Sequence, residues 1–163
     1  AGLRFGVGAD YWGYYSYFTN RMPNFNFNEG IEPGFEILIY ITGIMGNYSF
    51  FLFVVSILTF LFIGLGIKYL NNGYILIPLY IYTVMYFIGG PFGQIRQALA
   101  IAILLYSVTH IVSKNLTRFI FWVFIATTIH VSSLIFIVAY CLNYIKVNKK
   151  FLQGKATFPC DFV

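Results

Sequence analysis

The feature that most constrains the fold is an apolar run from Tyr48 to Leu70, which carries no charged side chain before Lys68. A helix of this length can cross the roughly 30 Å hydrocarbon core of a bilayer. Further apolar runs follow in a chain that is 60% hydrophobic, 21% aromatic and only 9% charged. This composition excludes a soluble globular domain. We predict an all-α integral membrane protein, a multi-span helical bundle in which re-entrant helices are an alternative to some of the spans.

We expect three parts along the chain. They are an outer-face polar loop segment (1–32), a transmembrane helical region (33–145) and a truncated basic tail (146–163). The helical region is divided into a re-entrant helix at 33–46 and spans at about 48–70, 73–89, 95–112 and 117–144. As a helix, 33–46 reaches only about 21 Å, which favours a re-entrant or interfacial position over a span. Because the chain begins without Met and stops before completing a further span, we interpret it as a fragment.

The basic residues predict the orientation in the membrane. Ten Lys and Arg against five Asp and Glu give a net charge of +5, an excess that in membrane proteins is typical of cytoplasmic loops and not of nucleic-acid binding. Two crossings separate Lys68 from Lys114, so both should lie on the cytoplasmic side. Arg96 then opens on the outer face.

The segment 117–144, with His130 near its middle, has two interpretations. One tilted span would leave the lysines of the tail outside, against the charge rule, whereas a broken pair with His130 at its outer vertex returns them to the cytoplasm. The imidazole itself either satisfies a Ser or Thr hydroxyl or exchanges protons beside a cavity. Both alternatives stay open at this point.

Arg96 stands at the start of the apolar segment 95–112. Arginine stays protonated in proteins, so its place at a membrane helix end costs free energy unless an anion, water or carbonyl group receives it. A helical projection gives one stripe of residues: Arg96, Ala100, Ile103, Ser107, His110 and Lys114. We expect this stripe to face protein or a wet cavity. The alternative is that Arg96 only snorkels to the headgroups and anchors the helix.

The amino-terminal segment combines carboxylates with many aromatic residues. The aromatics are expected to form an interfacial belt; the alternative is a platform on which sugar rings stack. Pro33 suits the first position of a helix that Gly46 ends, and Glu32 and Glu36 then lie on one face of it. Desolvation and mutual repulsion would raise the pKa values of these two carboxyl groups toward those of a general base, while Glu32 would also suit the helix N-terminus as a cap.

The sequence contains no motif typical of metal binding or nucleic-acid binding. Cys141 and Cys160 have neither metal-ligand spacing nor the pattern of a disulfide framework. No basic and aromatic nucleic-acid motif occurs. We therefore expect no metal, no cofactor and no nucleic-acid partner.

Four short blocks carry a resemblance to a known family. They are Arg4 with Gly8-Ala9-Asp10 and Tyr14, Glu32-Pro33-Gly34-Phe35, Ile95-Arg96-Gln97-Ala98-Leu99-Ala100, and Ile129-His130-Val131-Ser132-Ser133-Leu134. In this order and approximate spacing the chain resembles the EpsG family, Wzy-like membrane polymerases of bacterial exopolysaccharide and O-antigen. The resemblance runs from Arg4 to about Tyr140, and the chain departs from the family in being shorter.

The resemblance implies a multi-pass enzyme of the bacterial cytoplasmic (inner) membrane with its active face on the extracytoplasmic side. It implies a glycosyltransferase that links polyprenyl-diphosphate-borne oligosaccharide repeat units and uses no nucleotide sugar. The expected partners are this lipid-linked oligosaccharide, the bilayer and other membrane proteins of polysaccharide assembly. The matching polar positions are Arg4, Asp10, Glu32, Arg96, Gln97 and His130.

Each matching position receives an expected role. Arg4, Arg96 and Gln97 would bind diphosphate or glycan, because guanidinium groups bind phosphate oxygens bidentately. Asp10, Glu32 and His130 are the candidate catalytic residues, and we expect one of the two carboxylates to be the base because a bulky acceptor reaches them more easily. The main alternative is a flippase or transporter that moves its substrate without reaction. A membrane acyltransferase is a third interpretation, but it leaves the two outward arginines unexplained.

Overall fold

The computed structural model describes residues 5–8, 10–21, 30–71, 74–86 and 93–142, and within these ranges all regular structure is helical. The helices are α1 (Tyr11–Arg21), α2 (Pro33–Met45), α3 (Tyr48–Leu70), α4 (Leu76–Met85), α5 (Ile95–Val112), α6 (Leu116–Ile129), a 3-10 helix (Val131–Ile137) and α7 (Val138–Leu142). Arg4, Asn28, Cys160 and the tail 146–163 lie outside the described residues, so the predictions made for them stay predictions.

The two longest helices, α3 and α5, form the centre of the fold and pack against each other. Their bounds coincide with the predicted segments 48–70 and 95–112, and both helices are long and apolar enough to cross a membrane. That they span the membrane stays a prediction. Local signals explain this agreement: the Asn47 side chain caps α3 by accepting a hydrogen bond from the Phe50 backbone N–H, and Lys68 lies in its negatively polarised last turn.

Contacts between α3 and α5 show that the two helices run parallel. Near their starts, Val55 borders the same small cavity as Ala98. Near their ends, a Cβ atom added at Gly66 would lie 3.0 Å from Leu105 Cγ, so glycine permits the close approach. The basic turns after α3 and α5 therefore lie at one end of this pair, and Arg96 lies at the other.

The predicted stripe of α5 faces protein. Ala100, Ile103 and Ser107 are all buried, and the Ser107 hydroxyl donates a hydrogen bond to the Leu104 carbonyl within the helix. The middle of the stripe is thus inside the protein as expected, whereas Lys114 at its end is exposed.

The structure corrects the prediction for residues 1–32, where we expected loops. Residues 11–21 form the helix α1, because Tyr11, Tyr14 and Phe18 follow an i, i+3, i+7 pattern and are buried on one side of it. Their rings pack against those of Phe35, Tyr48 and Phe51. Tyr11, Tyr14 and Phe18 are therefore core residues and form neither the expected belt nor a sugar platform.

Helix α2 begins at Pro33 and ends at Met45, as the sequence predicted for 33–46. Its thirteen residues correspond to about 20 Å, so its re-entrant position stays a prediction. Glu32 occupies the cap position before the helix, where its negative charge is favoured as expected, but its side chain accepts no hydrogen bond from the first turn. Helix α4 covers ten residues, fewer than the predicted span 73–89, and part of that segment lies beyond the described ranges.

The structure also corrects the single span at 117–144, because the helix breaks at His130 and the chain folds back. His130 has extended backbone angles (φ −152°, ψ 115°), and the 3-10 helix that follows packs against α6. The rings of Phe119 and Tyr140 lie 5.4 Å apart, whereas a continuous helix would separate these residues by about 32 Å. This geometry is that of the broken pair with His130 at its vertex.

Candidate functional site

One carboxylate, that of Glu32, connects three parts of the fold. Glu32 is the residue before α2. Its Oε2 accepts a hydrogen bond from Arg96 Nη1 at 2.8 Å. Its Oε1 lies 3.2 Å from His130 Nδ1 and accepts a hydrogen bond from the Val131 backbone N–H at 3.1 Å. The break in the helix at His130 frees that N–H, so the local structure of α6 creates the donor that Glu32 receives.

Arg96, in the first turn of α5, is held on several sides. Besides its ion pair with Glu32, its Nε donates a hydrogen bond to the Tyr14 hydroxyl at 3.0 Å. The guanidinium carbon lies 5.5 Å from the centre of the Tyr14 ring and 5.8 Å from that of Phe35, within the range of cation–π attraction. Arg96 is therefore directed into the protein, and headgroup snorkelling does not account for its contacts.

The pKa of Glu32 is lowered, contrary to the raised pKa that we expected. Burial acts to raise the pKa, but hydrogen bonds from its own backbone N–H and that of Val131, together with Arg96 and His130, outweigh it. Glu32 is consequently ionised at neutral pH. Glu36, the second carboxylate of the predicted pair, lies one turn further along and is buried in the helix packing.

Two cavities adjoin at Arg96. The smaller, of about 190 Å³, is lined by Asp10, Tyr14, Gln94, Arg96, Gln97 and His130. The larger, of about 380 Å³, is lined by Asp10, Gly13, Tyr14, Tyr17, Ile31 and Arg96. Asp10, Tyr14 and Arg96 line both cavities. Groups bound in the two cavities would therefore lie next to each other beside these residues.

The structure brings together five of the six predicted site residues: Asp10, Glu32, Arg96, Gln97 and His130. The sixth, Arg4, is not among the residues that the structure describes. Sequence reasoning missed Tyr14 as a site residue, although it follows Asp10, the residue before α1, by four positions, about one helical turn. Burial raises the pKa of Tyr14 despite the lowering effect of Arg96, so the hydroxyl stays neutral and accepts the Arg96 hydrogen bond.

The start of α5 adds to the positive potential of the smaller cavity. Gln94 precedes the helix and its side chain caps no backbone N–H. The first N–H groups of a helix favour an anion, and here Arg96 and the amides of Gln94 and Gln97 are beside them. Within the described ranges, no group of three His, Cys, Asp or Glu side chains is placed to hold a metal ion.

The described residues form helices only, two of which are long and apolar enough to cross a membrane, and the polar site lies at one end of these two. The sequence model of the EpsG family matches residues 1–159, and the chain belongs to that family. It is thereby a membrane protein of polysaccharide biosynthesis. A comparison with curated proteins and with solved structures finds no match for this chain.

Proposed function

We propose that the protein is a polysaccharide polymerase: a membrane glycosyltransferase that links oligosaccharide repeat units carried on polyprenyl diphosphate. The observation that carries the proposal is the Glu32 carboxylate, which holds a cation, Arg96, and a titratable base, His130, beside one cavity. Transfer of a glycan from a diphosphate requires these two groups close together. The base removes the proton of the acceptor hydroxyl, and the cation stabilises the departing diphosphate.

Arg96 is the proposed site for the diphosphate. Two of the five N–H groups of its guanidinium donate to Tyr14 and Glu32 among the described residues, which leaves donors for an anion. Gln94, Gln97 and the start of α5 supply further donors around the smaller cavity. A volume of about 190 Å³ is below the usual size of a pocket for a whole small molecule, about 300–1,000 Å³, and suits a charged group at the end of a larger substrate.

His130 is the proposed base, which revises our choice of the carboxylates. Because Glu32 is ionised, it accepts the hydrogen bond from Nδ1–H of His130, and the lone pair of the neutral imidazole is then on Nε2. Glu32 therefore fixes both the tautomer and the orientation of the ring. Its own lowered pKa makes it a weak base.

In the proposed reaction, Nε2 of His130 takes the proton of the acceptor hydroxyl. The acceptor oxygen forms a bond to the anomeric carbon of the donor, and the bond between that carbon and the diphosphate oxygen breaks. The electron pair leaves with the lipid diphosphate, whose charge develops beside Arg96. Preorganised donors at the position of developing charge are a large source of rate enhancement.

The proposed active face is extracytoplasmic. The site lies at the end of the parallel pair α3 and α5 that is opposite to Lys68 and Lys114. Basic residues favour the cytoplasmic side, which puts Arg96 outside. This face is where a growing polymer can leave the membrane.

The test is polymerisation of purified lipid-linked repeat units by variants of the full-length protein in lipid nanodiscs. We expect His130→Gln to lower turnover about 10²–10⁴-fold with substrate binding retained, because this is the usual contribution of a general base. His110→Gln is the matched control, since His110 lies in the last turn of α5 at the other end of the helix. It should polymerise at the parent rate.

Two outcomes would overturn parts of the proposal. A His130→Gln protein that polymerises normally, beside an inactive Asp10→Asn protein, would move the base to Asp10. A parent protein that carries lipid-linked units across a vesicle membrane and never joins them would reject glycosyl transfer in favour of the transporter.

A further inference from the structure

We infer that the larger cavity, lined in part by Asp10, Gly13 and Tyr17, is the subsite for the acceptor sugar. This inference rests on the proposed function for the distinction between acceptor and donor, but the binding of a sugar there can be measured without any reaction. It assigns the two adjoining cavities different occupants. The smaller takes the diphosphate of the donor, and the larger takes the end of the oligosaccharide that is attacked.

The volumes support this division. The larger cavity, at about 380 Å³, is within the usual range of small-molecule sites, about 300–1,000 Å³, and the smaller is not. A sugar ring with its hydroxyl groups requires the larger space.

The chemistry of the two linings differs in the same direction. The larger cavity combines the carboxylate of Asp10 with the aromatic surface of Tyr17 and the aliphatic surface of Ile31. Carboxylate oxygens accept hydrogen bonds from hydroxyl groups, and the electron-rich face of an aromatic ring attracts the weakly positive C–H groups of a pyranose. Asp10, Tyr14 and Arg96 line both cavities, so the difference lies in the other residues. The smaller cavity adds two amides and an imidazole, which suit an anion, where the larger adds the apolar and aromatic surfaces of Ile31 and Tyr17.

Asp10 is at the junction, because it lines both cavities. From this position its carboxylate can accept a hydrogen bond from the acceptor sugar and keep the attacking hydroxyl directed toward His130, which lines the smaller cavity. The structure thus gives Asp10 a binding and positioning role that is separate from removal of the proton.

Gly13 offers a way to test the subsite without disturbing the fold. It lies within α1 and lines the larger cavity, and a Cβ atom added there would meet no heavy atom of the described residues within 4 Å. Glycine is unfavourable inside a helix, so a larger residue at this position should not weaken α1. A leucine side chain would occupy the space that the sugar requires.

Gly64 is the matched control. It lies inside α3, and a Cβ atom at Gly64 also has no heavy atom within 4 Å. Gly13→Leu and Gly64→Leu therefore make the same chemical change in open space, one beside the cavity and one away from it. Gly13→Ala is a smaller change at the same position, for which we expect an intermediate effect.

The experiment measures two binding reactions on each variant in lipid nanodiscs. The probes are the oligosaccharide freed by mild acid from the host's lipid-linked repeat unit, and polyprenyl diphosphate without sugar. We expect Gly13→Leu to bind the free oligosaccharide at least about tenfold more weakly than the parent, because the added side chain clashes with it. Binding of polyprenyl diphosphate should stay within about twofold, and Gly64→Leu should change neither.

The outcomes separate this inference from the proposed function. If Gly13→Leu binds the oligosaccharide as the parent does, the assignment of the larger cavity is wrong, whether or not the protein polymerises. If the parent makes no polymer but Gly13→Leu still abolishes oligosaccharide binding, the assignment of the sugar site is retained and the proposed glycosyl transfer is rejected. Equal weakening of both probes would also reject the division into two subsites.

Discussion

Gly34 lies in the first turn of α2, close to Thr128 of α6. Replacement of Gly34 by alanine adds one methyl group, which should move Glu32 away from His130. A Cβ atom there would lie 2.8 Å from Thr128 Cβ and 2.9 Å from the Thr128 carbonyl oxygen. Neither atom can move alone, because one belongs to a β-branched side chain with few rotamers and the other to the backbone of α6. Gly34→Ala should therefore push α2 and α6 apart.

The expected cost follows from two opposed effects. Overpacking at a tight contact costs about 1–3 kcal/mol, while replacement of glycine by alanine in a helix recovers about 0.5–1 kcal/mol. We expect a net loss of about 1 kcal/mol in the free energy of unfolding, within a range of about 0–2.5 kcal/mol. The same displacement lengthens the contacts of Glu32 with His130, now 3.2 Å, and with the Val131 N–H, now 3.1 Å. Both are near the upper limit for hydrogen bonds, so a shift of about 0.5 Å would break them.

The assay is thermal unfolding in detergent together with polymerisation of lipid-linked repeat units. Gly64→Ala is the control, because its Cβ atom meets open space and the variant should be at least as stable as the parent. Gly34→Ala should be less stable and less active. Equal stability and activity of the two variants would refute the argument that the contact between Gly34 and Thr128 sets the geometry of the site.

Three further predictions follow from the ion pair and the helix directions. Arg96→Lys should shorten the polymer nearly as much as Arg96→Ala at matched protein level, because an ammonium lacks the planar fork that now donates to Tyr14 and Glu32; normal polymer from the lysine variant would assign Arg96 to anchoring. The lowered pKa of Glu32 contributes stability that is fully present above the ordinary carboxyl pKa of 4.5 and is lost as the pH falls through the lowered value. As the pH falls through this range, the melting temperature of the parent should approach that of Glu32→Gln. A difference in melting temperature that does not change with pH would contradict the lowered pKa of Glu32. With single cysteines at Asn20 and Lys114 in a cysteine-free background, an impermeant thiol reagent should label position 20 from outside and position 114 only after permeabilisation. The reverse pattern would invert the topology.

The helices that the sequence predicted well are those with local signals. Pro33 starts α2, Asn47 caps α3, and long apolar runs define α3 and α5, so each boundary depends on a few neighbouring residues. Helix α1 was missed because its glycine and its many aromatic side chains concealed the helical spacing of the three buried rings. We interpreted the segment from its composition, which is typical of an interface, although the spacing of Tyr11, Tyr14 and Phe18 is that of a packed helix face.

The geometry of the site could be predicted only as a set of residues. Arg96, Glu32 and His130 were all candidates, but periodicity cannot show that residues this far apart in the sequence share one carboxylate. Nor could it give the sign of the pKa shift at Glu32. Proximity to Glu36 on a helix face favoured a raised pKa, whereas in the folded chain the backbone N–H groups of Glu32 and Val131, with Arg96 and His130, lower the pKa.

In the proposed mechanism, the Glu32 carboxylate links substrate binding at Arg96 to the orientation of the base, His130. An arginine at a membrane helix end requires a counter-charge, and Glu32 supplies it while its other oxygen orients His130. A diphosphate that used the remaining N–H groups of Arg96 would leave the bond to Glu32 in place, and the imidazole would keep its orientation. A diphosphate that displaced Glu32 from Arg96 would instead leave His130 Nδ1 and the Val131 N–H as partners of the carboxylate, and these contacts would still orient the ring. In both cases the diphosphate binds Arg96, beside one oxygen of Glu32, while the other oxygen orients His130, so replacement of Glu32 should affect both KM and kcat.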